Sequence, residues 1–265
     1  MTSARPSLPG LPGPLLDRAT LPYRPGGRFA WHFSRGKLGG DPAFAGMLRR
    51  GLIPPGSRVL DLGCGQGVLA ALLLAVDGHG ADWPAQWAPP PVGCVVRGIE
   101  LMPRDVERAR AALGRFGERA RIDLGDICDT DFGRADVVTI LDVLHYIDFA
   151  AQEKVLERVR DCLGGSGHLL LRVGDAAGGF PFRWSNWVDA TVLAVRGHGF
   201  ARLHCRPLQG WRELLERLGF AVETVPMHAG TLFANMMLVG RLDARCRSGT
   251  PPQPRSSPEF EGAAV

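Results

Sequence analysis

Residues 59 to 67 read VLDLGCGQG, and no other stretch limits the possible folds as tightly. An apolar run closes on Asp61 and Leu62 and breaks into glycine at every second position, Gly63, Gly65 and Gly67. A nearly all-apolar segment, Val68 to Ala75, follows. Glycine lets a chain turn tightly through left-handed backbone and lets that backbone meet a ligand with no side chain between them. In open α/β sheets, ligands bind at the carboxyl ends of the strands, where the winding direction reverses. The segment after the turn is apolar on every side, so as a helix it must be covered on both faces.

The surrounding sequence alternates strand and helix patterns. Strands are predicted at 57–62, 95–100, 121–124, 136–141, 168–173, 221–226 and 234–242. Helices are predicted at 103–116 and 211–218, from Asp41-Pro42 with Asp41 as cap, and from an Asp148 cap through Val155, Val159 and Cys162. The alternation implies a doubly wound, Rossmann-like α/β sheet of seven strands, mainly parallel, with helices on both faces. Only a short connection separates the last two strands, too short for a parallel crossover, so the final strand should be antiparallel.

Composition narrows the rest. A chain of 265 residues with 45% hydrophobic residues can bury one substantial core. Residues 1–27 are rich in Pro and Gly and predict a flexible arm, 248–265 predict a disordered tail, and 28–247 the folded domain. The net charge of +4 is too small to argue for nucleic acid. The basic cluster from Arg18 to Arg50 reads as a solvated arm in preference to an anionic-partner site. Six cysteines without a CxxC pair suggest reduced thiols and neither a disulfide framework nor a metal site. With no secretory h-region and no run long enough to span a bilayer, the expectation is a soluble cytoplasmic protein.

Two ligands suit a glycine turn of this kind. A dinucleotide fingerprint would need its third small residue at Val68, and the charge of Asp61 would oppose a pyrophosphate. The same charge suits an ammonium group. DLGCGQG in fact resembles motif I of the class I S-adenosylmethionine-dependent methyltransferases. Three further motifs follow in the family's order: GIEL at 98–101, GDI at 125–127 and ADVVTILDVLHYID at 135–148. The resemblance covers about 41 to 242 and implies S-adenosyl-L-methionine as cofactor. It implies cofactor contacts from Asp61, Gly63, Cys64, Gly65, Gln66 and Gly67 at the turn. Glu100 and Leu101 would meet the ribose, Asp126 and Ile127 the adenine, and Leu141 and Asp142 the methionine moiety. Each position also has a purely structural reading: turn glycines, a small core filler at Cys64, an Asx turn at Asp126.

Departures from the family pattern carry information too. An insertion at 78–94 joins a helix back to a strand, which puts Trp83 and Trp87 at the amino edge of the sheet, away from the ligand. No [DN]-PP-[YF] follows the fourth strand, the tetrapeptide with which the amino-methylating nucleic-acid enzymes of the resembled family typically hold a planar nitrogen. The expected reaction is therefore O- or C-methylation of a small aromatic or apolar acceptor. His145 is the candidate general base, since its ordinary pKa suits neutral pH; the alternative is a packing role beside Tyr146. Candidate substrate contacts are Trp31, His32 and Arg35 in the arm, Tyr146, Arg172 as a carboxylate holder, and Trp184 and Trp187 in a lid-like insertion at 175–209. Two rival readings remain: a non-catalytic S-adenosylmethionine-binding or regulatory subunit, and an RNA methyltransferase, which rests on the basic arm alone.

Overall fold

The computed structural model describes residues 10–78, 80, 83–174, 203–227 and 235–242. Seven strands form one sheet: β1 (Arg58–Leu62), β2 (Val95–Glu100), β3 (Ala120–Leu124), β4 (Val137–Leu141), β5 (Gly167–Gly174), β6 (Phe220–Pro226) and β7 (Asn235–Leu242). Their order is β3-β2-β1-β4-β5-β7-β6. The pairs among β1 to β5 are parallel, whereas β7 slots between β5 and β6 and runs antiparallel to both. The winding reverses between β1 and β4, which places the glycine turn at the switch point.

Strand alternation sorts the core into two layers. Val59, Val96 and Val137 face one side, while Leu60, Ile99 and Val138 face the other. The second layer is closed by α6 (Phe149–Cys162) and α7 (Leu208–Arg217) through Val155, Leu156, Val159, Trp211 and Leu215. The first is closed by α4 (Val68–Val76) and α5 (Pro103–Leu113). Every residue of α4 is buried, as its unbroken apolar sequence requires.

Its outer cover comes from an unexpected source. Residues 13–26, expected from composition to belong to a flexible arm, form α1 (Gly13–Thr20) and a 3₁₀ turn (Leu21–Gly26). Leu15, Ala19 and Tyr23 are 0%, 0% and 1% exposed, so this stretch is core and the flexible-arm boundary is corrected. The physical reason lies in α4: a helix apolar all round exposes a greasy face unless something packs on it, and α1 does so. The prolines do not prevent this, because Pro14 sits in a first helical turn where its missing N–H costs nothing. Then come α2 (Arg28–Gly40) and α3 (Pro42–Arg49), the latter capped by the Asp41 side chain on the Ala43 N–H at 3.0 Å.

The 78–94 insertion behaves as predicted where it is described. Trp83 and Trp87 meet edge to face at 5.4 Å, and Trp83 donates to the Ala88 carbonyl. Ala88 N–H is held by Arg49, and Gly56 N–H by Val92, beside the start of β1 and so at the amino edge. Among the described residues no helix is long and apolar enough to cross a membrane. Most of the predicted lid, with Trp184 and Trp187, and the 248–265 tail lie outside the described residues.

Candidate active site

All three turn glycines have positive φ, at 70°, 55° and 72°, but they answer to different neighbours. A Cβ on Gly63 would lie 2.4 Å from Val143, and one on Gly67 2.7 Å from Leu113. Both positions are tightly packed, Gly63 more severely, because Val143 meets it with three atoms whereas Leu113 meets Gly67 with the far end of its side chain. A Cβ on Gly65 would meet nothing within 4 Å. Gly65 therefore borders open space at the switch point. Cys64 interlocks with Gly98, whose Cβ would sit 2.6 Å from the Cys64 sulfur, so the small-filler reading of Cys64 holds. Burial first, then Asp61 and Glu100, push the Cys64 thiol up, which leaves it protonated and no nucleophile.

Glu100, at the end of β2, is bound to the turn directly. Its Oε2 accepts from the Gly65 N–H at 2.8 Å and its Oε1 from the Met102 N–H at 2.9 Å. Each oxygen keeps a further lone pair for another donor. One residue on, Leu101 is 57% exposed at the same edge, an apolar side chain that nothing covers among the described residues. Asp126, at the end of β3, accepts from the Cys128 N–H in an Asx turn at 2.8 Å, and Ile127 is buried beneath it.

Asp61 is the electrostatic centre. Register sets it beside Thr139, whose hydroxyl donates at 2.6 Å. Burial raises its pKa to about 7, with the Thr139 bond opposing and the Glu100 charge adding to the rise. A carboxylate this deep is costly to ionise without a cation nearby. Asp61 opens on a cavity of about 140 Å³ whose walls also include Gly65, Asp105, Leu141, Phe33 and Lys37. Gln66 reaches Asp105 through its amide nitrogen at 3.2 Å, while its buried Oε1 has no hydrogen-bond partner among the described residues. The cavity is roofed by the arm: α2 supplies Phe33 and Lys37, and the Tyr23 hydroxyl donates to the Gln66 carbonyl at 2.8 Å. Asp105 and Phe44, which also line the cavity, had no local signal, since each belongs to the site only through packing.

Residues singled out by sequence do not all meet in one place. Asp61, Gly63, Cys64, Gly65, Gln66 and Leu141 share the cavity wall. Trp31 and Arg35 lie elsewhere, in an open groove between α1, the 3₁₀ turn and α2, where Arg24 and Arg35 approach the Trp31 ring at 5.3 and 5.8 Å. Helical periodicity explains the split: 33 and 37 share one face of α2, and 31 and 35 the opposite one. His32 is exposed and rests edge-on against Trp31 at 4.6 Å.

Arg172 is a correction. It is 1% exposed and spans two carboxylates, with Nη1 on both Asp41 oxygens at 2.6 and 2.7 Å, Nε on Asp142 at 2.9 Å, and Nη2 on Asp142 as well. A guanidinium so engaged has no free edge for a substrate carboxylate. It instead ties β5 to the end of β4 and to the cap of α3. Burial works against an ionised Asp41, yet Arg172 and Lys37 together hold its carboxyl down to about 2. Asp142 has φ 61°, a left-handed backbone rare outside glycine, and the bridge holds it there.

His145 and Tyr146 lie on a 3₁₀ turn (Leu144–Tyr146) just past β4, their rings 4.1 Å apart. Buried Gln152 fixes that turn by donating to the carbonyls of Leu144, Ile147 and His204. The described end of the predicted lid joins it, with the His204 N–H on the His145 carbonyl at 2.9 Å. Burial lowers the His145 pKa while the Asp142 charge pulls the other way, so the imidazole is neutral near pH 7.

Comparison with known proteins agrees with this architecture. A methyltransferase-domain family model matches residues 31–225. The carboxy-S-adenosyl-L-methionine synthase of Aeromonas hydrophila is 30% identical over 195 residues, which cover 71% of this chain and 69% of that protein. Among solved structures, the pyocyanin biosynthetic protein PhzM superposes with a TM-score of 0.54 at 21% identity, covering 79% of this chain and 57% of its own. The O-methyltransferase NcsB1 from neocarzinostatin biosynthesis gives 0.54 at 20%, covering 80% and 55%. The chain thus spans little more than half the length of either structure, and at these identities the likeness concerns the fold. By its family match and its switch-point glycine turn, the chain belongs to the class I methyltransferases, enzymes that use S-adenosylmethionine.

Proposed function

We propose that the protein methylates a small acceptor with an aromatic or apolar part, on oxygen or carbon, with His145 as general base. The supporting observation is the His145–Tyr146 turn, clamped by Gln152 at the β4 edge with its imidazole neutral. The residues present fit the cofactor: among the described residues, the buried acid Asp61 has no cation bonded to it and the Gln66 Oε1 has no hydrogen-bond partner, and open space lies over Gly65. A cavity of about 140 Å³ can enclose a short amino-acid chain but not a nucleoside. The nucleoside would then lie along the open edge past Glu100, Leu101, Asp126 and Ile127, with Asp142 beside the methionine moiety. The bound cofactor supplies a methyl group on a sulfonium sulfur, and the protein's task is to align the acceptor and remove its proton.

Profiling a metabolite extract with isotopically labelled methyl donor, with and without the enzyme, tests the acceptor class; label appearing only in polar amines would overturn it. His145→Gln should cut turnover by about 100-fold or more with cofactor affinity nearly unchanged. Equal losses in both would make His145 a packing residue. A second reading is favoured by the Aeromonas relative, whose name specifies a carboxylated donor as product. Mass spectrometry of the donor pool from the same incubation distinguishes the two, because only that reading predicts a carboxylated S-adenosylmethionine.

A further inference from the structure

We propose that Lys37, on the arm helix α2, receives the α-carboxylate of the methyl donor, which makes the arm part of the donor site. This rests on the donor reading of the cavity given above. The cavity wall carries two acids, Asp61 and Asp105, with Glu100 close behind, and Lys37 is the one basic residue on it among the described residues. An amino-acid end brings both an ammonium and a carboxylate. The acids suit the first and repel the second, so the carboxylate must turn toward the cation. Asp61 and Lys37 together form a pocket complementary to a zwitterion.

Lys37 is free to take this part because its neighbours do not need it fully. Asp41 and Asp142 are both held by Arg172, whose guanidinium lies wholly inside the protein. Lys37 adds a contact to Asp41 at 3.0 Å and stands 4.0 Å from Asp142, beyond hydrogen-bonding distance. An ammonium has three N–H donors, so one bond to Asp41 orients the group and leaves others for the cavity. Its side chain is 37% exposed, in contrast to the 1% of Arg172. The helix aims it: α2 ends against the Asp41 cap, and the face that carries Phe33 also carries Lys37. Two acids, one arginine and one lysine make that cluster neutral, and an incoming carboxylate answers the acids on the opposite wall.

The test compares two ligands by calorimetry: S-adenosylmethionine and its decarboxylated form, which lacks only the α-carboxylate. Wild-type protein should bind the first about 10- to 100-fold more tightly, the range expected for a charge-assisted hydrogen bond. Lys37→Met should erase that difference by weakening S-adenosylmethionine alone, and Lys37→Arg should retain most of it. If Lys37→Met weakens both ligands equally, the lysine merely holds the arm in place and the proposal fails. It fails too if the preference for the carboxylated ligand survives in Lys37→Met, or if S-adenosylmethionine binding is unchanged while turnover with acceptor drops, which would make Lys37 an acceptor contact. Wild-type protein that binds neither ligand would overturn the donor reading of the cavity itself.

Discussion

At the scale of single residues, Asp61 ties sequence to chemistry most closely. Its carboxyl has an ordinary pKa of 3.8 in the unfolded chain and about 7 in the fold, burial being the main cause. The folded protein therefore holds that proton more tightly than the unfolded chain does. Between those values the unliganded protein loses stability as pH rises, because the fold must then bear a buried charge. A bound ammonium reverses the balance by favouring the ionised form. Donor affinity should accordingly fall by up to about tenfold per pH unit below about pH 7, and Asp61→Asn should abolish that dependence while stabilising the unliganded protein at higher pH. Calorimetry and thermal melts across the range would show both; a flat affinity profile in the wild type would remove Asp61 from the role.

Gly65 makes a second prediction at this scale, from the contrast among the glycines. Gly65→Val should eliminate donor binding by filling the open space while costing only about 1–2 kcal/mol of stability through its left-handed backbone. Gly63→Val collides with Val143 and should lower the melting temperature far more. The spacing of the three glycines already marked them as a functional turn. That Gly65 borders open space while a Cβ on Gly63 or Gly67 would meet Val143 or Leu113 depended on residues 80 and 46 positions further along the chain.

At the scale of elements, the Arg172 bridge joins α3, β4 and β5, and no local pattern could have shown it. The sequence places an arginine near the end of a strand at the ligand edge, a sound position for a substrate clamp. Only the docking of α2 and α3 over that edge brings Asp41 to it across 131 residues. Arg172→Met should cost about 3–5 kcal/mol, because it leaves two partly buried carboxylates without their partner. Denaturant titration measures this directly. A loss under about 1 kcal/mol would show that Lys37 and water suffice for Asp41 and Asp142.

For the whole molecule, the decisive fact is that residues 13–26 of the arm pack into the core. A chain beginning at Gly27 would lose Leu15, Ala19 and Tyr23 and uncover α4, in which every residue is buried. Such a truncation should lower the melting temperature sharply or drive the protein into aggregates, seen by circular dichroism and size-exclusion chromatography, and should weaken donor binding by opening the cavity roof. Unchanged melting and binding would mean that the arm is dispensable cover.

The strand order, the helices from Pro42 onward among the described residues, the parallel sheet with its antiparallel last strand, the switch-point turn and the acids at the carboxyl edge were legible in the sequence, whereas α1 and α2 were not. They are encoded by periodicities and turn residues within a few positions of one another, where backbone geometry alone dictates the outcome. The apolar Val68–Val76 run even announced that something must cover it. The chain could not say what. Whether a Pro/Gly-rich arm is loose or packed, whether Arg172 faces a ligand or two aspartates, and whether Trp31 or Phe33 meets the cavity depend on contacts between distant segments. Those contacts form only when burial of the α4 face outweighs the entropy of ordering the arm, and that balance belongs to the tertiary structure.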